Sequence, residues 1–227
     1  MAEGGAEAAL RGYRLQTLYI LSRLMNVENR EHIFRPEGKE DLDIYASVDQ
    51  LLETVQVKAY TQGLTLSDFS PEKDSSFFRR ALSNLKANPD STIRVVSFGP
   101  IGPEIAKAWS HEGPERESVR RKLTDYGYTS EEIRDLLTIE FSKAEESVLE
   151  EEVFAFLQNT LTGGDPPNAF ELLMYWVSLA SEQSRQIEYS TVIEKLASVG
   201  RYLQQRSAYH DEWFTSILPL TDTLDTR

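Results

Sequence analysis

The residue types best suited to chemistry gather in one short stretch: Asp43 within Glu40-Asp41-Leu42-Asp43-Ile44, then Gln56 and Lys58 within Thr54-Val55-Gln56-Val57-Lys58. Alternate side chains of a β-strand share a face, so Asp41, Asp43 and Tyr45 point one way and Leu42, Ile44 and Ala46 the other. The second segment repeats the pattern, with Thr54, Gln56, Lys58 and Tyr60 opposed to Val55, Val57 and Ala59. Two strands joined through Ser47-Val48-Asp49-Gln50 are therefore expected to seat apolar faces on a core. They would present carboxylates, an amide and an ammonium on a shared, solvated face. That set suits a divalent cation and a phosphodiester. Two carboxylates ~4 Å apart repel by about 1 kcal/mol in water and nearer 4 kcal/mol at a protein surface. Lys58 alone leaves a negative surplus among Glu37, Asp41 and Asp43, so a bound cation is expected.

The surrounding pattern predicts the elements that would position this set. Leu10, Leu15, Leu18, Leu21 and Leu24 recur near helical spacing and predict a helix over about 7–26. A short strand is expected at Ile33 to Glu37, ahead of the two strands above, and Thr61-Gln62-Gly63 is read as the end of the third. Ser70 as N-cap with Pro71 at the first helical position predicts a helix running past Phe77, Phe78 and Leu82 to about Asn88. The β-branched run Thr92 to Phe98 reads as a strand, stopped by Gly99-Pro100-Ile101-Gly102, with Pro103 opening another helix. Helices are predicted near 115–126, 130–137, 145–161, 167–184, 190–205 and 208–218, with one more strand at Thr138 to Phe141. This order predicts an α/β fold, a mixed central sheet flanked by helices, with a mainly helical second half. The expected division is a core over 1–113 and a helical region over 114–227, packed on the core or extending it.

At 227 residues and 40% hydrophobic content the chain supports a real core. Without cysteine there is no disulfide, thiolate zinc site or cysteine nucleophile. His32, His111 and His210 carry no metal-ligand spacing. No apolar run reaches the ~18 residues of a membrane span and no leader pattern opens the chain, so a cytoplasmic protein without membrane contact is expected. The net charge of −13 argues against a polyanionic partner until its distribution is read. Residues 1–110 hold 13 Lys and Arg against 15 Asp and Glu, whereas 111–227 hold 11 against 22. The first half is the place to look for chemistry, and the second for scaffold or partner surface.

An acid at one strand, a hairpin, then acid-or-Gln, any residue and Lys on the next strand resembles the PD-(D/E)xK nuclease superfamily, in an Asp…Gln-x-Lys form. Gly12-Tyr13-Arg14-Leu15-Gln16, Pro36-Glu37 with Asp41-Leu42-Asp43, and Val55-Gln56-Val57-Lys58 narrow the likeness. They resemble the double-stranded-DNA endonuclease domain that serves as effector in bacterial cyclic-oligonucleotide antiphage systems and at the N-terminus of antiviral STAND NTPases. Leu15 stands where that family often has Tyr. The resemblance implies a restriction-endonuclease-like core followed by a helical region, double-stranded DNA as substrate, self-association, and a sensor or NTPase module after the C-terminus.

On that reading Asp43 is the first-choice Mg²⁺ ligand. The Val57 carbonyl or the Gln56 amide oxygen supplies a second, with Glu37 or Asp41 bound directly or through water. Mn²⁺ is expected to substitute. Lys58 would stabilise the developing negative charge, and Gln16 is an auxiliary site residue or a helix-surface amide. Gln56 in place of the usual acid removes one negative charge and predicts a weak metal site that fills with DNA present. Two alternatives stay open: a nuclease-fold interaction module with weakened catalysis, and an RNase or structure-specific nuclease. Arg79, Arg80, Arg120, Arg121 and Lys122 could track a DNA backbone or form solvated helix faces. Trp109, Trp176 and Trp213 read as core, and Gly99 to Pro103 as a strand-to-helix turn.

Overall fold

The computed structural model describes residues 5–26, 28, 30–161 and 165–198. The helix expected at 208–218, most of the last turns of the one at 190–205, His210 and Trp213 lie outside the described residues. The first helix, α1 (Gly5–Met25), precedes three strands, β1 (Ile33–Pro36), β2 (Leu42–Ser47) and β3 (Gln50–Lys58). A 3₁₀ turn at Leu66–Phe69 leads to α2 (Phe77–Ala87), β4 (Thr92–Ser97), α3 (Pro103–Ser110), α4 (Pro114–Asp125) and α5 (Ser130–Leu136). The chain continues through β5 (Glu140–Lys143), α6 (Glu146–Thr160), α7 (Pro166–Glu182) and β6 (Ile187–Glu188). Residues 189–198 are helical.

Among the described residues six strands form one mixed sheet in the order β5-β4-β3-β2-β1-β6. The β1-β2-β3 meander and β6 are antiparallel, while β4 and β5 run parallel to β3. Parallel neighbours need crossover connections, and here the crossovers are helical, so both faces of the sheet are covered. One face packs Phe34, Leu42, Ile44, Val55, Val57 and Val96 against α1, α6 and α7. The other packs Ile93 and Val95 against Phe77, Phe78, Ile105, Val119, Leu123 and Leu136 of α2 to α5. Aromatic rings tighten that second layer, with Phe69 5.3 Å from both Phe77 and Phe78, and Trp109 4.9 Å from Phe141.

The α/β class and the element order match the sequence pattern, with differences that have physical causes. The helix expected from Ser70 starts at Phe77, because Ser70 lies in the left-handed region (φ 43°) and Ser76 is the N-cap, its hydroxyl accepting the Arg79 amide at 3.3 Å. Pro103 does open α3, and Gly99 and Gly102 do make the turn before it. A Cβ at either would lie 2.2 Å from Tyr60 O or 2.6 Å from Leu64 O, so this turn is pressed on the backbone after β3. The division at 113/114 leaves no boundary in the sheet: β5 and β6 pair with strands of the first half, and α6 and α7 pack on α1. The second half extends the core.

The expectation of a solvated polar face is overturned. Asp43 is 1% exposed, Thr54 0% and Gln56 8%. Leu42 through Tyr45 are all buried: Leu42 and Ile44 face the layer of α1, α6 and α7, and the turn before β2, itself held by Arg80 of α2, lies against Asp43 on the side that alternation assigned to solvent.

Candidate active site at a strand fork

β2 and β3 pair from Ser47 opposite Gln50 up to Leu42 opposite Val55, and then separate. Asp41 stands at the next position, where its side chain takes over from the backbone ladder. Its Oδ2 accepts the Val57 amide at 2.6 Å and also the side-chain amide of Gln56. Above this fork lies α1. Gln16 is buried on the helix face directed at the sheet, and its Nε2 donates to Glu37 Oε1 at 2.6 Å and to Asp41 O at 3.3 Å. Glu37 takes a left-handed conformation (φ 51°), and its amide closes the turn by donating to Asp41 O at 3.1 Å. Gly12, Tyr13 and Gln16 on one side, with Asp41, Gln56 and Val57 on the other, line an open cleft of about 260 Å³.

Of the residues singled out from sequence, the structure brings Gln16, Glu37, Asp41, Gln56 and Val57 together. It places Asp43 elsewhere. Asp43 is opposite Thr54, four strand residues and so roughly 13 Å along β3 from Lys58. Its Oδ2 accepts the Lys39 amide at 2.9 Å and the Tyr45 hydroxyl at 3.3 Å. The acid that meets Gln56 is Asp41. Counting outward from Ser47 opposite Gln50 does not settle this from sequence, because the ladder shifts register on both sides of Tyr45, which pairs with Leu51.

The electrostatics follow from burial. Desolvation pushes the Asp41 carboxyl up to about 6, and Glu37 and Glu40 push it the same way, while the Val57 amide and Lys58 oppose them. Burial pulls the Lys58 ammonium down, and Asp41 and Glu40 pull it back up. The Lys58 Nζ lies 5.7 Å from the Phe69 ring centroid and 5.8 Å from that of Tyr60, an aromatic seat for a cation with little water around it. Glu40, which sequence reasoning passed over, is buried and held by a fork-on-fork pair from Arg80, at 2.8 Å from Nε and 2.9 Å from Nη2. Arg120 and Lys122 are each paired with acids, at Glu117 and Glu104.

The donors around the fork are all oxygens: the Asp41 and Glu37 carboxylates, the Gln56 amide and the Val57 carbonyl. Hard oxygen donors fit Mg²⁺ or Mn²⁺. Among the described residues no group of three or more His, Cys, Asp or Glu is placed to hold a metal. A sparse set of this kind still fits Mg²⁺, which keeps several waters and completes its shell with substrate phosphate. The raised Asp41 carboxyl is consistent with the fit, since a cation would relieve the charge that burial penalises.

No family model and no curated protein matches the chain, and among the described residues no helix is long and apolar enough to cross a membrane. Solved structures do match. The Acinetobacter baumannii Cap4 SAVED/CARF-domain containing receptor with the cyclic trinucleotide 2′3′3′-cAAA superposes with a TM-score of 0.51 at 15% identity, over 85% of this chain and 47% of that one. The Moraxella osloensis Cap4 SAVED/CARF-domain containing receptor gives 0.50 at 14% identity, over 83% and 48%. The chain thus spans about half the length of these receptors and shares the α/β fold of that half.

Proposed function

We propose that this chain is a metal-dependent endonuclease that cuts double-stranded DNA with little sequence preference. We place it as the effector portion of a longer antiphage defence protein that also carries a sensor or NTPase module. The observation that carries the reading is the fork itself, where Asp41, Gln56, the Val57 carbonyl and Glu37 meet beside a desolvated lysine. The fold shared with half of the Cap4 receptors, one of them bound to a cyclic trinucleotide, supports the defence context.

Asp41 is the first candidate ligand, with Glu37, the Val57 carbonyl and the Gln56 amide oxygen completing the protein's share. A bound Mg²⁺ supplies Lewis acidity at the scissile phosphate and lowers the pKa of the attacking water. Gln16 orients Glu37 by its amide and ties the turn to α1. Lys58 offers a positive charge whose water shell is largely removed by Tyr60 and Phe69, so it stabilises developing negative charge with little reorganisation. The raised Asp41 carboxyl makes the site weak toward metal below about pH 6, where the proton competes.

The test is incubation of the protein with supercoiled plasmid, linear duplex and single-stranded RNA, in Mg²⁺, Mn²⁺ or EDTA. Plasmid nicking and linearisation that EDTA stops, with RNA intact, is expected. Plasmid that survives Mn²⁺ at high protein concentration overturns the nuclease. That result favours the second reading, an interaction module of nuclease fold, for which Gln56 in place of an acid and the lack of a three-acid cluster among the described residues speak. Cleavage of RNA alone would move the substrate to RNA.

A further inference from the structure

We infer that Asp43 is a positioning residue: it holds the turn Glu37 to Asp41 so that the Glu37 and Asp41 carboxylates face the fork, and it is not itself a ligand of the cation. What the turn presents rests on the nuclease reading above; how the turn is held rests on geometry alone.

A buried acid two residues from a candidate ligand is an obvious second ligand, yet its contacts run the other way. Asp43 is 1% exposed, and its Oδ2 accepts the Lys39 amide at 2.9 Å. The turn is wrapped tightly on this carboxylate: a Cβ on Gly38 would lie 2.4 Å from Oδ2 and 2.8 Å from Cγ. Tyr45, whose hydroxyl donates to the same oxygen at 3.3 Å, is itself covered by the Arg35 guanidinium, 4.4 Å from its ring centroid. The other oxygen, Oδ1, makes no hydrogen bond, and neither does Thr54 Oγ1 on the residue directly across the ladder. Both hydrogen bonds of Asp43 thus fall on Oδ2, and the shorter of them holds the turn.

The same turn is gripped from two further elements. Gln16 of α1 donates to Asp41 O and Glu37 Oε1, and Arg80 of α2 holds the buried Glu40. A non-glycine residue in the left-handed region persists only where its surroundings fix it. Glu37 at φ 51° is fixed by this three-sided grip. Asp43 supplies the side that comes from below, the one nearest the centre of the turn.

Asp43→Ala and Asp43→Asn separate the two roles, because asparagine keeps an oxygen for the Lys39 amide and loses the charge a ligand needs. Two readouts are taken on the metal-free and Mn²⁺-titrated protein: hydrogen exchange of the Lys39 and Glu37 amides, and Mn²⁺ affinity by electron paramagnetic resonance. Asp43→Ala is expected to unprotect both amides and to weaken Mn²⁺ about 10- to 100-fold, as loss of a group that orients ligands does. Asp43→Asn is expected to keep the protection and most of the affinity. If Asp43→Asn loses Mn²⁺ as fully as Asp43→Ala while Lys39 stays protected, Asp43 is a ligand and the inference fails. It fails too if Asp43→Ala leaves Lys39 protected. Should Asp43→Ala not fold, Gly38→Ala lifts the turn while leaving the carboxylate in place, and unchanged Mn²⁺ affinity in that variant refutes the role. Wild-type protein that binds no Mn²⁺ sinks the metal reading, and the exchange data then decide the clamp by themselves.

Discussion

Replacing Asp41 by asparagine should make the protein more stable and chemically dead. In the fold the Asp41 carboxyl is pushed from an ordinary 3.8 to about 6, chiefly by burial. Each decade of difference between the folded and unfolded protonation equilibria is worth ~1.4 kcal/mol, so ionised Asp41 costs the metal-free fold about 3 kcal/mol near neutral pH. Asparagine removes the charge, keeps an oxygen for the Val57 amide and fills the same space; its own buried amide takes back a part, leaving a gain of about 2 kcal/mol. For a chain of this size that is a rise in melting temperature of roughly 4–8 °C. The sign depends on pH in a specific way. Below about pH 3 the aspartate is neutral in both folded and unfolded chains, only the cost of the buried amide remains, and Asp41→Asn should melt slightly below wild type. As pH rises toward 6 the unfolded chain ionises while the folded one resists, wild type loses stability relative to Asp41→Asn, and above about pH 6 the gap stays constant. The assay is a series of thermal melts in EDTA from acid to about pH 8. A variant no more stable than wild type at pH 8, or a gap that does not change with pH, refutes the assignment of Asp41 as the desolvated acid. The matching measurement adds Mg²⁺: at 100-fold excess over its dissociation constant it should stabilise wild type by about 2.7 kcal/mol and leave Asp41→Asn unmoved.

Lys58→Met should reduce plasmid cleavage by about 10²-fold or more while the melting temperature holds or rises, since methionine fills the seat beside Phe69 and Tyr60 without a charge to desolvate; a drop of many degrees would mark the lysine as structural. Arg80→Ala strands the Glu40 side chain, which is only 3% exposed, and should cost about 2 kcal/mol in urea unfolding. Adding Glu40→Gln should recover much of that, and a double variant as unstable as the single would show the pair is not the cause. Thr54→Val should stabilise by about 1 kcal/mol in the same assay, because the hydroxyl it removes is buried without a partner; a clear loss of stability would mean that the hydroxyl is bonded in solution.

Legibility in the sequence divided along the range of the interactions. The helix α1, the strand β4 and the start of α3 at Pro103 were readable because leucine spacing, β-branched runs and proline at the first helical turn act within a few residues. Glu37, Asp41 and Gln56 were named as candidates from their types and spacing, and Gln16 and the Val57 carbonyl through the family resemblance. Their ranking was not readable. Alternation assigns Asp41 and Asp43 to one face and cannot distinguish them, because the choice depends on where β2 leaves β3, and that is set by what packs around the ends of the strands. Glu40 and Arg80 were invisible as a pair, since forty residues and two strands separate them. The solvated face failed for a related reason: polar residues on a strand signal water or partners equally, and here partners came from α2 and the turn before β2.

Composition and local pattern by themselves determined an α/β chain whose candidate site residues, from Gln16 to Lys58, all lie in the first 60 positions, because propensity and amphipathic period are written into neighbouring residues. Tertiary structure alone decided that Asp41 meets Gln56 at the fork, that Asp43 lies under the turn, and that the strands of both halves share one sheet. Those outcomes depend on register and on layers closing over the sheet, and both are settled by contacts between segments far apart in the chain.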